Sequence, residues 1–200
     1  MSILFISGSP TEQSRSARLL DAARERISKQ GFATDWIQVR DLPAQALLHA
    51  DFKDTVLSEA IGRVESAQAV VLSSPVYKAA YAGVLKAFLD LLPQTGLAGK
   101  LVLPLATAGS PAHTLALDYS LRPVLAALGA RDVVAGVFAV DTQVQWWPDT
   151  GLHLDPNIEA RLDSAVSHLI EGLRRAEREA LHQRNLDAPK VPFGSVRVST

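Results

Sequence analysis

The chain of 200 residues contains no cysteine. That absence excludes disulfide scaffolds, thiolate zinc sites, Fe–S clusters and thiol nucleophiles together. An excess of charge of either sign is also missing. Lys and Arg number 20 against 21 Asp and Glu, a net charge of -1. Non-specific nucleic-acid binding needs many cationic phosphate contacts, so no nucleic-acid partner is expected. No apolar run reaches the roughly 18 residues of a membrane span. The opening Met1-Ser2-Ile3-Leu4-Phe5-Ile6-Ser7-Gly8 lacks the basic segment of a secretory signal. A cytoplasmic protein with no membrane partner is therefore expected. What is present is apolar: 48% of residues are hydrophobic, enough to fill a sizeable core and to argue against global disorder.

Apolar blocks alternate with helical patterns along the chain. Residues 3–6, 34–39, 69–73, 101–105 and 133–140 read as five short strands. Residues 15–29, 55–66, 83–92, 113–128 and 158–181 carry apolar positions at helical spacing. Repeated β-α units give a parallel sheet with helices on both faces, because each crossover is right-handed. The expected architecture is an α/β, flavodoxin-like three-layer sandwich with a five-stranded parallel sheet in the order 2-1-3-4-5. One domain, 1–182, is expected, followed by an extended tail, 183–200, that contains Pro189, Pro192 and Gly194.

In such a sheet, ligands bind beyond the carboxyl ends of the strands. Three segments stand there. The first is Gly8-Ser9-Pro10-Thr11-Glu12-Gln13-Ser14-Arg15-Ser16, which leads straight into a helix. Free N–H groups, a positive helix end, hydroxyls and one guanidinium make a phosphate its natural guest. The plainer reading of the same residues is a Ser N-cap beside a surface Arg. No Gly-Lys-Ser/Thr follows, so this is not a Walker A loop, and the G-x-G-x-x-G spacing of the dinucleotide fold is absent. The second segment, 73–83, holds Tyr77 and Tyr81, which either face a flat ring system or pack the loop on the core. The third, Ala106-Thr107-Ala108-Gly109-Ser110-Pro111, lets a ligand approach bare backbone. Together they suit a phosphorylated, flat cofactor.

Elsewhere the polar residues read more plainly. His49, His113, His153, His168 and His182 show no metal-ligand spacing, and no metal site is expected. The charge run from Glu171 to Glu179 is a solvated helix face. Trp146 and Trp147 are read as covering either the site or an interface. No G-x-S-x-G elbow supports Ser-His-Asp hydrolysis.

The blocks Ser7-Gly8-Ser9-Pro10, Ser14-Arg15-Ser16 and Ser74-Pro75-Val76-Tyr77-Lys78-Ala79-Ala80-Tyr81, with Gly83 and Leu85-Lys86, resemble the NADPH-dependent FMN reductases of the flavodoxin-like superfamily. Two further blocks, Leu103-Pro104-Leu105-Ala106-Thr107-Ala108-Gly109 and Asp118-Tyr119-Ser120-Leu121-Arg122-Pro123-Val124-Leu125, are similar to the flavin reductase component of two-component alkanesulfonate monooxygenases. The resemblance covers about residues 1–180. It implies FMN and NADPH as cofactors. Ser9, Ser14, Arg15 and Ser16 would hold the phosphate. Pro75, Val76, Tyr77, Lys78, Thr107 and Gly109 would border the flavin. Hydride would pass from nicotinamide to flavin N5, and reduced flavin would leave for a separate monooxygenase. Pro123 makes the helix over 113–128 locally irregular, and the resemblance implies a π-bulge in it, with Tyr119 beside the flavin at a subunit interface of a homotetramer, a dimer of dimers. Thr11 departs from the pattern, since relatives often carry Arg there; this moves weight onto Arg15 and the serines. Same-fold alternatives are a quinone or azo reductase that retains FMN and a flavodoxin-like electron carrier.

Overall fold

The computed structural model describes residues 2–187. Strand β1 (Ser2–Ser7) pairs in parallel with β2 (Ala33–Gln38) on one side and β3 (Ala69–Tyr77) on the other. Strand β4 (Ala80–Tyr81) turns back antiparallel on the end of β3. Strand β5 (Leu101–Ala108) pairs with β3, and β6 (Asp132–Val133) and β7 (Val137–Val140) share its other edge. The order is β2-β1-β3-β5-β6/β7; with the hairpin strand β4 set aside and β6 and β7 counted as one strand, this is the expected 2-1-3-4-5.

Helices α1 (Arg15–Ser28) and α6 (Pro156–Asp187) cover one face. Helices α2 (Ala44–Leu48), α3 (Thr55–Ser66), α4 (Gly83–Leu89) and α5 (Arg122–Ala127) cover the other. The strand alternation explains why two layers are needed. Ile3 and Phe5 of β1 pack with Leu19, Leu20 and Leu162, whereas Leu4 and Ile6 pack with Leu57, Leu85 and Phe88. All four β1 side chains are buried, so a helix layer on a single face would leave half of them in water.

The expected fifth strand is two pieces, and Pro104 accounts for the gap. Val134 N–H donates to Val102 O at 2.9 Å, which places Val102 on the β6 edge of β5. Two residues on, the same edge presents Pro104, which has no N–H to give. The ladder stops there and resumes where Leu105 meets Val137. The third strand is longer than expected, running to Tyr77 and continuing as a hairpin where a loop is expected. Lys78 and Ala79 form its two-residue turn with φ of 49° and 66°. Positive φ at both positions suits the twist of a tight hairpin, but it is normally met by Asn-Gly.

The expected helix over 113–128 is in fact three pieces. A short 3-10 turn (Pro111–His113) leads to a π turn (Leu117–Leu121) and then α5. Pro123 supplies the reason: it donates no N–H and its ring crowds the preceding turn. The turn widens, and Arg122 N–H reaches Leu117 O, a π-type bond. After β7, strands β8 (Val144–Trp147) and β9 (Gly151–Leu154) form a separate antiparallel hairpin. Helix α6 continues through 183–187, where an extended tail is expected. Its last turns are rich in Arg, Glu, Ala and Leu, all good helix formers. Residues 188–200 of the expected tail lie outside the described residues. Among the described residues, no helix is long and apolar enough to cross a membrane.

Candidate active site

The buried polar side chains of the described residues are Ser7, Ser9, Ser14, Ser16, Ser73, Ser74 and Thr107. All seven sit at the carboxyl ends of β1, β3 and β5, in the loop that follows β1 or in the first turn of α1. Buried polar groups are informative because burial is costly without partners. Their concentration at one end of three adjacent strands marks the candidate site.

Each partner is local and specific. Ser14 is the N-cap of α1; its Oγ accepts from Ala17 N–H at 3.4 Å and lies 2.7 Å from Ser16 Oγ. The plain N-cap reading of Ser14 is therefore correct. The first-turn N–H groups of Arg15 and Ser16 have no acceptor within their helix. They point with the positive end of a helix of 14 residues. Ser9 Oγ accepts from Thr11 N–H at 3.2 Å, which folds the loop over the helix end. Ser73 Oγ donates to Ser16 O at 2.8 Å and Gly8 N–H donates to Ser73 O at 2.8 Å. These two bonds tie the β1 loop to the end of β3. Ser74 Oγ accepts from Ala82 N–H at 2.8 Å and donates to Pro75 O at 2.9 Å, which fixes the hairpin to the start of α4.

The two tyrosines of the second segment part company. Tyr81 packs against the core, and burial pushes its hydroxyl above the usual tyrosine range. Tyr77 is half exposed beside Val76 and the exposed Lys78. Pro75 stands in register with Thr107, so the second and third segments meet. A Cβ built on Gly109 would find its nearest neighbour, Asp141 Oδ2, at 3.9 Å. Packing therefore does not demand glycine at 109. What it leaves is bare backbone beside the shelf formed by Thr107, Pro75 and Val76. Tyr119 lies in the π turn and is 77% exposed; β4 packs against that turn, which brings the hairpin and Tyr119 to one side of the shelf.

Sequence reasoning missed Ser73, Ser74 and Asp141. The serines carry a signal, as the first polar residues of an otherwise apolar strand. Asp141 follows directly after β7, at another strand end, and pairs with Arg15 across 126 positions of sequence (Nη1 to Oδ2, 3.3 Å). Arg18 stacks its guanidinium over the Trp146 ring, 4.3 Å from its centre. Trp146 therefore packs on the first turns of α1. Burial, then the neighbouring Arg15 charge, holds Arg18 below the usual arginine range. A cleft of about 530 Å³ lies at the opposite end of the sheet between Leu101, Asp132, His168 and Arg175, away from every strand-end loop.

A hydroxyl-lined helix N-terminus, a short hairpin and a bare glycine loop side by side fit a phosphate joined to a flat ring. The profile of the NADPH-dependent FMN reductases matches residues 1–145. The chain belongs to the NADPH-dependent FMN reductase family. It is 42% identical over 179 residues to an FMN reductase (NADPH) of Pseudomonas putida, covering 89% of this chain and 91% of the relative. It is 39% identical over 191 residues to an FMN reductase (NADPH) of Escherichia coli, covering 96% and 95%. Among solved structures, an apo NADH:FMN oxidoreductase (EmoB) superposes with a TM-score of 0.77 at 42% identity, over 84% of this chain and 87% of that one. As an FMN reductase, the chain is an oxidoreductase of FMN and NADPH, and the shelf at the strand ends is where its residues fit a flavin nucleotide.

Proposed function

We propose that this FMN reductase takes hydride from NADPH onto N5 of FMN lying on the strand-end shelf and releases the reduced flavin to a separate monooxygenase of sulfonate metabolism. The observation that carries the reading is the cluster of buried hydroxyls at the ends of β1, β3 and β5. Ser9, Ser14, Arg15 and Ser16 hold the phosphate. Pro75, Val76, Tyr77, Lys78, Thr107 and Gly109 border the ring. The flavin supplies the redox chemistry, and the chain supplies position and backbone donors. Lys78 and Ala79, held at positive φ, turn the chain back so that Tyr77 pairs with Ala80 and Val76 with Tyr81, directly beyond the Pro75–Thr107 pair.

Release, rather than retention, is supported by how open the shelf is. Arg15 is about half exposed (53%), and a Cβ built on Gly109 would meet only Asp141 Oδ2 within 4 Å. Exposed aromatics ring this end: Tyr77, Tyr119, Trp146 and Trp147. Exposed apolar groups gathered in one region mark an interaction surface. We assign it to a homotetramer, a dimer of dimers, with Tyr119 of the π turn at the interface and tuning flavin exchange. A cytoplasmic location goes with this role, since NADPH and the partner monooxygenase are met there.

Tyr119→Ala tests the reading through three measurements: oligomeric state by sedimentation, flavin carried through purification, and NADPH oxidation with added FMN. The expected result is a smaller assembly with altered flavin retention or turnover. A tetramer with unchanged retention and turnover overturns it.

A further inference from the structure

Arg15 stands at the first position of α1, where an anion is favoured by the helix end and by Ser14 and Ser16. Yet its guanidinium is already engaged. Asp141, the first residue after β7, accepts from Arg15 Nη1 through Oδ2 at 3.3 Å. The same carboxylate oxygen is the nearest neighbour of a Cβ built on Gly109, at 3.9 Å. Asp141 therefore stands between the arginine of the first loop and the bare backbone of the third. Both partners are partly open to water, at 53% and 40% exposure. The pair is neither locked by burial nor part of the core, so its making and breaking cost little.

The surroundings hold the carboxylate in place rather than repel it. Gln143 Oε1 accepts from Val140 N–H at 3.0 Å, which fixes the turn that carries Asp141. Asp155 N–H donates to Gln143 O at 2.9 Å and closes the same turn from the other side. Trp146 carries Arg18 on its ring face, so the turn and its hairpin grip α1 at two successive arginines. Among the described residues, Asp141 is the carboxylate in ion-pair contact with Arg15, while Glu12 of the β1 loop turns instead to Arg40, at 3.6 Å.

We propose that Asp141 is a specificity and release residue: it competes with the flavin phosphate for Arg15, and so weakens binding of phosphorylated flavin and speeds its departure. The inference rests on Arg15 being a phosphate ligand. With the shelf empty, Asp141 holds Arg15 outstretched. When flavin arrives, phosphate and Asp141 share one guanidinium, and two anions stand close together. When flavin leaves, Asp141 takes the arginine back, so the site does not require a free cation at any stage. An enzyme that must hand its flavin on gains from such a competitor; one that keeps its flavin does not.

The experiment measures FMN and riboflavin affinity by fluorescence quenching, and FMN dissociation by stopped flow, for wild type, Asp141→Asn, Arg15→Ala and the double variant. Asparagine keeps the shape and a hydrogen-bond acceptor but removes the charge, and melting temperatures verify that each variant is folded. The expected result for Asp141→Asn is FMN binding roughly two- to tenfold tighter, with slower dissociation and unchanged riboflavin affinity. In the Arg15→Ala background the same change should have little effect on FMN. If Arg15→Ala weakens FMN no more than riboflavin, the phosphate role of Arg15 fails, and the proposal with it. If Arg15→Ala weakens FMN selectively but Asp141→Asn leaves FMN affinity unchanged, or shifts riboflavin equally, the proposal alone is overturned.

Discussion

Gly8→Ala is the sharpest mutational probe of how the two loops of the site are held together. Gly8 has no positive φ, so the demand for glycine is one of space rather than conformation. A Cβ at residue 8 would lie 2.7 Å from Leu85 Cβ, 2.8 Å from Cδ2 and 3.0 Å from Cγ. Ordinary carbon contacts begin near 3.5 Å, so the gap must widen by about 0.8 Å. Leu85 Cγ and Cδ2 can swing away, but Cβ is fixed to the backbone of α4. Either the β1 loop or the start of α4 must move, and those are the two walls of the shelf. Overpacking of this kind costs about 1–3 kcal/mol. For a chain of this size that lowers Tm by roughly 3–9 °C. Thermal unfolding by circular dichroism reads the stability, and FMN quenching reads the shelf, where affinity should fall as well. Leu85→Ala alone should cost about 2–5 kcal/mol through the cavity it leaves. Combined with Gly8→Ala it should cost less than the sum, because two of the three close contacts disappear. A Gly8→Ala protein melting within about 1 °C of wild type, or strict additivity in the double variant, refutes the packing argument.

Three further outcomes follow from the same geometry. Ser73→Ala removes the buried bond from Ser73 Oγ to Ser16 O that ties β3 to the first turn of α1, so it should destabilise by about 0.5–1.5 kcal/mol in urea unfolding and weaken FMN binding. Ala79→Gly relieves a positive φ and should stabilise by about 1 kcal/mol in the same assay. Asp35→Asn removes a half-buried, bidentate pair with Arg63, in which Arg63 Nε donates to Asp35 Oδ2 at 2.7 Å. The hydrogen bond from Arg63 holds the Asp35 carboxyl below its usual range, so its stabilising effect is complete above the unfolded value of about 3.9 and is lost as pH falls through the lower folded value. The Tm deficit of Asp35→Asn should therefore be present at pH 7 and close in that acid window; a deficit independent of pH contradicts the assignment.

Much of the fold can be read from residue pattern alone, because a doubly covered parallel sheet writes itself as short apolar runs between helical repeats. Ile3–Ile6 shows this directly, with neighbours feeding opposite cores. The breaks are harder to read. Pro104 looks like any proline near a strand end until the partner edge is known. The turn at Lys78 and Ala79 has neither Gly nor Asn, so its chemistry gives no hairpin signal. Pro123 announces an irregular helix and the family resemblance implies a π-bulge in it; the structure sets the bounds of the wide turn at Leu117–Leu121. At the site, the strand-end serines are visible as polar caps on apolar runs. Asp141 is not, since its meaning comes from Arg15, at the start of α1 and 126 positions earlier in the chain.

The central claim is that the buried-hydroxyl shelf accepts flavin by its phosphate and presents it to NADPH. Steady-state NADPH oxidation with FMN, FAD and riboflavin supplied in turn tests this most directly, in wild type and in Arg15→Ala. The account predicts flavin-dependent NADPH oxidation with a lower KM for FMN than for riboflavin, and loss of that preference in Arg15→Ala. Equal KM values for FMN and riboflavin in the wild type, or a preference that survives the loss of Arg15, would contradict it.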